Sequence, residues 1–95
     1  MVVRIGKKAF IGCEMLKELV LPDGVREIGE MAFADCTALE RIVLPDSLEK
    51  AKNLTEKGET PKNIFENSPN VTAVVSPKSY AERYCKRNNI PYIYK

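Results

Sequence analysis

Branched aliphatic residues fill two short stretches, Leu19-Val20-Leu21 and Ile42-Val43-Leu44, each preceded by charged residues and followed by proline, whose successive side chains would alternate inward and outward. A two-residue period built on branched aliphatics predicts short strands with one buried face. Pro22-Asp23-Gly24 and Pro45-Asp46-Ser47 then supply turn chemistry that ends them. A longer pattern carries the same alternation. Ile5-Gly6, Ala9-Phe10, Cys13 and Leu16 align with Ile28-Gly29, Ala32-Phe33, Cys36 and Leu39 at an offset of 23 residues. Leu19 matches Ile42, Leu21-Pro22 matches Leu44-Pro45, and Val25 matches Leu48. A fixed period of this length predicts stacked units, each unable to bury its apolar side alone.

A third copy follows after nine extra residues: Ile64-Phe65, Ser68, Val71, Val74 and Pro77 stand 55 positions beyond Ala9-Phe10, Cys13, Leu16, Leu19 and Pro22. On that offset Ser76 stands where the repeats place Leu, and Ala51-Lys52 where they place Ile-Gly. The expected organisation is one domain over residues 1–95. Two regular repeats occupy 2–51, a polar insert 52–62, a third repeat 63–77 and a cap 78–95. Stacking should set Phe10, Phe33 and Phe65 in one column and Leu16, Leu39 and Val71 in another.

The pattern I-G-x-x-A-F-x-x-C-x-x-L-x-x-L-x-L-P-x-x-V resembles the BspA-like leucine-rich repeat, a 23-residue class found in bacterial surface proteins, over residues 2–77. Pro77 to Tyr84, continuing to Ile90-Pro91-Tyr92, is similar to the terminal segment of such arrays. The resemblance implies a leucine-rich repeat solenoid of the α/β type, with about three 23-residue repeats of short parallel strands and turns. It further implies a non-catalytic protein-binding or adhesion module, with a protein or host-surface ligand as partner, at the cell surface or secreted.

The two ends of the chain read differently. Ser79 with Glu82 forms a capping box, and Lys86 and Arg87 suit the far end of a helix. Tyr80, Ala81, Tyr84 and Cys85 share one face of that helix, Asn88-Asn89 can end it, and Ile90 to Tyr94 can add an extended segment. At the other end Val2-Val3-Arg4-Ile5-Gly6 aligns with Val25 to Gly29, so the chain enters mid-repeat. The first complete strand, around Glu18 to Leu21, should be an open edge. That edge supports a second function: a structural or self-assembly unit that forms a homo-oligomer by stacking through its N-terminal rung.

Composition narrows the chemistry. The 95 residues carry 15 basic and 13 acidic side chains, for a net charge of +2, and no histidine. The commonest general base and zinc ligand is therefore missing. No apolar run approaches the roughly 20 residues of a membrane span, so no membrane insertion is expected. The first residues lack the order of a secretory signal, which leaves a cytoplasmic location open. The tail from Lys78 to Lys95 has five basic residues and one acidic. A helix that balances its dipole explains them, and no nucleic acid partner is expected.

Cys13 and Cys36 share one repeat position with Ser68; they can be read as a disulfide between rungs or as small buried thiols, and a small residue suffices there. The three cysteines do not suggest a metal site. Glu14, Glu18, Glu27, Glu30, Asp35, Glu40 and Asp46 fall among lysines and arginines on outward positions, a solvated surface. No serine has a histidine partner, and the glycines form no phosphate loop. The expectation is a non-enzyme without cofactor or catalytic residues.

The candidate binding surface is the strand ladder. With Leu19, Leu21, Ile42, Leu44 and Val74 pointing inward, Val20, Val43 and Val75 point out in register, beside Glu18, Arg41 and Ala73. Such an apolar row edged by Glu18, Glu40 and Arg41 fits protein contact, and it fits plain cross-strand packing equally well.

Overall fold

The computed structural model describes residues 3–95. Val2, the first expected position of the repeat, lies outside the described residues. The chain winds as a parallel-strand solenoid with turns of about 23 residues. Its elements are β1 (Val3–Ile5), β2 (Glu18–Val20), β3 (Val25–Ile28), β4 (Arg41–Val43), β5 (Lys50–Ala51), β6 (Thr72–Val75), α1 (Tyr80–Arg87) and β7 (Tyr92–Tyr94). They form two parallel sheets, in the orders β1-β3-β5 and β2-β4-β6-β7. Each rung therefore contributes one strand to each sheet and closes through a third side made of turns.

That third side is also a ladder. Lys8, Phe10 and Gly12 donate their backbone N–H groups to the carbonyls of Glu30, Ala32 and Ala34 one rung on, at 2.8–2.9 Å. Phe33 and Asp35 repeat the step to Ile64 and Glu66. The turn geometry recurs with the rungs: Gly12, Asp35 and Asn67 all have positive φ, at 74°, 56° and 59°. Glycine, aspartate and asparagine tolerate that region best, which explains their place immediately before Cys13, Cys36 and Ser68.

The core runs along the axis in columns. The Phe33 ring lies between Phe10 at 5.1 Å and Phe65 at 5.9 Å, and Phe33 itself is 0 % exposed. Ile28, Leu39, Ile42 and Leu44 are likewise fully buried. The Cys/Cys/Ser column does more than fill space. Cys36 Sγ donates to the Phe10 carbonyl and Ser68 Oγ to that of Phe33, while Ser68 Oγ also accepts from the Cys36 N–H. A hydroxyl replaces a thiol here because both can donate to the rung before.

The third rung departs from the 55-residue offset. That offset holds at Phe65, Ser68 and Val71, but β6 pairs Ile42 with Ala73 and Val43 with Val74. One residue fewer separates Val71 from its strand than separates Leu39 from Ile42. In a strand such a slip exchanges faces. Val75, expected to point outward, is 0 % exposed and takes the inward place of Leu44, so Ser76 is no substitute for that leucine. Ala73, expected outward, is buried; Val74 faces out instead, and Thr72 stands beside Arg41 and Glu18.

The nine extra residues leave the rung as a short antiparallel loop, closed by two hydrogen bonds between Leu54 and Lys62. The cap helix repairs the gap they make in the ladder. Tyr80 and Tyr84 hydroxyls accept from the Ala51 and Ile64 N–H groups at 2.9 and 3.0 Å. The Tyr84 hydroxyl in turn donates to Asn53 Oδ1. Ser79 caps α1 by accepting from the Glu82 N–H. The Glu82 carboxylate reaches back to the Lys78 N–H, not to that of Ser79. β7 then adds a fourth strand beside β6.

Close rung contact also explains the Ile-Gly pair. A Cβ on Gly29 would stand 2.6 Å from the Lys7 backbone nitrogen, whereas one on Gly6 would meet nothing within 4 Å. Gly29→Ala should destabilise the fold by about 1–3 kcal/mol through overpacking, and Gly6→Ala should be near neutral. Urea unfolding of both variants checks the asymmetry.

Candidate functional site

The broad outward surface with an apolar row is the face of the four-stranded sheet. Register places Val20, Val43, Val74 and Ile93 in one row across β2, β4, β6 and β7. Val20 is 67 % and Ile93 47 % exposed, Val43 is half-buried, and Val74 between them is closed over at 3 %. Of the expected site residues, Val20 and Val43 thus lie on this face and Val75 does not. Sequence alternation could not reveal Ile93, because its strand joins the sheet only through the cap.

Charged groups flank the row. Glu18 and Arg41 are directly paired across β2 and β4, and both are exposed. Glu40 is exposed one residue before β4, and its main chain ties the rungs: its N–H donates to Lys17 and its carbonyl accepts from Thr72. Among the described residues none of these three side chains is held in an ion pair. The opposite sheet differs. There Arg26 binds Glu49 at 2.9 Å, and Glu27 takes both Arg4 at 3.4 Å and Lys52 at 3.7 Å. A shallow hollow of about 380 Å³ on that sheet is lined by Arg4, Arg26, Glu27 and Glu49, all of them paired, and by Lys50.

The cap holds the far edge of the face in place. The Tyr94 hydroxyl donates to Glu82 Oε2, while the other carboxylate oxygen accepts from the Lys78 N–H. These bonds hold Glu82 below its usual range and push Tyr94 up to about 12. Lys95 binds Asp46 at 3.0 Å across the sheet edge; a hydrogen bond from Ser76, then Lys95, lowers the Asp46 carboxyl. Burial pushes the Tyr84 hydroxyl up, and the Cys85 thiol to about 12.

Cys13, Cys36 and Cys85 are free thiols, and burial raises Cys36. Among the described residues no group of three metal-ligating side chains converges. A cleft of about 440 Å³ between the insert and the end of α1 is lined by Asn53, Thr60, Pro61, Asn63, Arg87, Asn88 and Asn89. The described helix is not long and apolar enough to cross a membrane.

Comparison with known families gives one match, to the model described as BspA type leucine rich repeat region (6 copies), over residues 1–79. No curated protein and no solved structure matches the chain.

The Tyr94–Glu82 bond makes β7 docking pH-dependent at both extremes. Tyr94 is raised from 10.0, so its contribution is complete below that pH and is lost as pH rises through about 12. Glu82 is lowered from 4.5, so its contribution is present above that pH and is lost as pH falls through the folded value. Amide exchange in β7 should quicken at both limits; Tyr94→Phe should remove the alkaline limb and shrink the acidic one, leaving only the part that the Lys78 N–H bond to Glu82 supplies.

Proposed function

Since the chain belongs to the BspA-type leucine-rich repeat family, we propose that it is a non-catalytic protein-binding module of the adhesion kind, displaying the four-stranded face to a protein or surface ligand. The exposed outward row carries this reading: Val20 and Ile93 stand open on one ladder with Val43 between them. Free charges at Glu18, Glu40 and Arg41 would set the orientation of a partner, while the apolar row supplies desolvation. The face needs no rearrangement to bind, because hydrogen bonds fix it from both sides. Members of the family are typically surface-associated, and we place this module on a cell surface or outside the cell.

A second reading is assembly. It would use the first rung, where a Cβ on Gly6 would meet nothing within 4 Å, rather than the sheet face. The two readings use different surfaces. Val43→Glu should abolish capture of a surface ligand, roughly a hundredfold or greater loss from an uncompensated charge in a desolvated row, with the circular dichroism unchanged. A ligand that binds this variant unchanged would remove the sheet face from the proposal.

A further inference from the structure

The insert after Ala51 and the cap helix α1 both stand outside the 23-residue period, and they meet over the cleft of about 440 Å³. Asn53, Thr60, Pro61 and Asn63 line it from the insert, and Arg87, Asn88 and Asn89 from the end of α1. The polar groups of the cleft divide into two sets. One is spent on the fold. Asn53 Nδ2 donates to Asn88 Oδ1 at 2.7 Å, Asn88 Nδ2 donates to the Tyr84 carbonyl at 2.9 Å, and Asn53 Oδ1 accepts from the Tyr84 hydroxyl. These bonds form a closed circuit that ties the insert to the helix. The other set has no partner among the described residues: the Arg87 guanidinium, the Asn63 Nδ2 group, the Asn89 side-chain amide and the Thr60 hydroxyl. Arg83, one turn earlier, bonds back to the Lys78 carbonyl; Arg87 does not.

We propose that this cleft binds a uronic acid residue of an acidic glycan, with Arg87 on the carboxylate and the uncommitted amides and hydroxyl on the ring hydroxyls. Four features select that chemistry. First, Arg87 is the one charged residue lining the cleft, and no carboxylate opposes it, so the site suits a single negative charge. A planar guanidinium meets a carboxylate through two parallel bonds. Second, the cleft lies at the negative pole of α1. The Tyr84, Cys85 and Lys86 carbonyls are taken up by the N–H groups of Asn88, Ile90 and Asn89, which admits a monoanion, while the pole disfavours a dianion such as phosphate. Third, the Thr60 hydroxyl and the Asn89 amide can each donate and accept, as ring hydroxyls do. Fourth, the volume falls within the roughly 300–1,000 Å³ of small-ligand sites. A second hollow of about 190 Å³ shares Asn63, Asn88 and Asn89 with it, which gives the next residue of a glycan chain a place.

The circuit through Asn53, Tyr84 and Asn88 holds both walls before any ligand arrives, so binding has little ordering to do. None of Val20, Val43 and Ile93 lines the cleft, and the proposal goes beyond the protein-binding reading of the sheet face.

Titration of the intact chain with trigalacturonate, glucuronate and glucose, read in proton–nitrogen correlation spectra, tests this. The expected result is saturable movement of the Asn63 and Asn89 side-chain amides and the Arg87 Nε–H group with trigalacturonate, weaker with glucuronate and none with glucose. Arg87→Gln should weaken trigalacturonate binding roughly tenfold or more. Asn89→Gly removes the amide but tolerates the φ of 56° at that position, and it should weaken binding severalfold. Lys86→Gln, on the same helix but outside the cleft, should change nothing, and neither should Val43→Glu on the sheet face. Unmoved Ile64 and Tyr84 backbone resonances show that each variant keeps its fold. No movement of the named groups, or an equal loss in Lys86→Gln and Arg87→Gln, overturns the cleft as the site. Equal binding of glucose overturns the role of the carboxylate, and tighter binding of inorganic phosphate overturns the sugar acid. Glucuronate bound as tightly as trigalacturonate overturns the glycan in favour of a free acid.

Discussion

Rung-to-rung hydrogen bonding along the axis is the constraint on which everything else depends. It operates on all three sides: two parallel ladders and a row of turns whose N–H groups reach the next rung. A rung that must meet its neighbours on three sides has little freedom in contour. Its apolar residues then fall into columns without further instruction, and each column buries only what the next level covers. The 23-residue period follows from one circuit of such a contour. So does the need for glycine at Gly29, where the chain passes too close to Lys7 for a side chain.

Departures from the period show how the constraint is met. The extra residues after Ala51 cannot lie on the contour, so they leave it and return, with Leu54 bound to Lys62 at the neck. The two backbone N–H groups flanking the interruption are taken up by Tyr80 and Tyr84 of the cap helix. The shorter link between Val71 and β6 is absorbed differently, by exchanging which face of the strand each side chain occupies. Insert and cap are thus one device: the helix supplies the acceptors that the broken rung lacks. Among the described residues no buried side-chain polar atom is left without a partner.

Much of this was legible in the residues. The phenylalanine column, the capping serine, the basic last turn of α1 and the final strand each follow from spacing and local chemistry. The first strand of each rung was less so. Val25 to Ile28 could be aligned with Val2 to Ile5, yet alignment alone does not reveal that Val3–Ile5 and Val25–Ile28 are strands of a second sheet. The outward face was misassigned in its third row because the offset was fixed by Phe65, Ser68 and Val71, all upstream of the shortened link. A one-residue slip is invisible when Ala73, Val74 and Val75 are all apolar and each could face either way. The hydrogen-bonding role of the Cys/Cys/Ser column was within reach, since cysteine and serine share a donor, but size alone explained it equally well.

The neck of the insert separates its interior from the rest of the fold. Only the ends of this segment bear on the rungs: Asn53 through Tyr84 and Asn88, and Leu54 and Lys62 through each other. The stretch from Thr55 to Pro61 is almost wholly exposed. Lengthening a closed loop costs only about 0.6 kcal/mol for each doubling of its length. The solenoid therefore has a port at which foreign sequence can be carried without altering the period, held beside the cap by a junction the protein already maintains. Added length at this port carries as little thermodynamic cost as a change of composition.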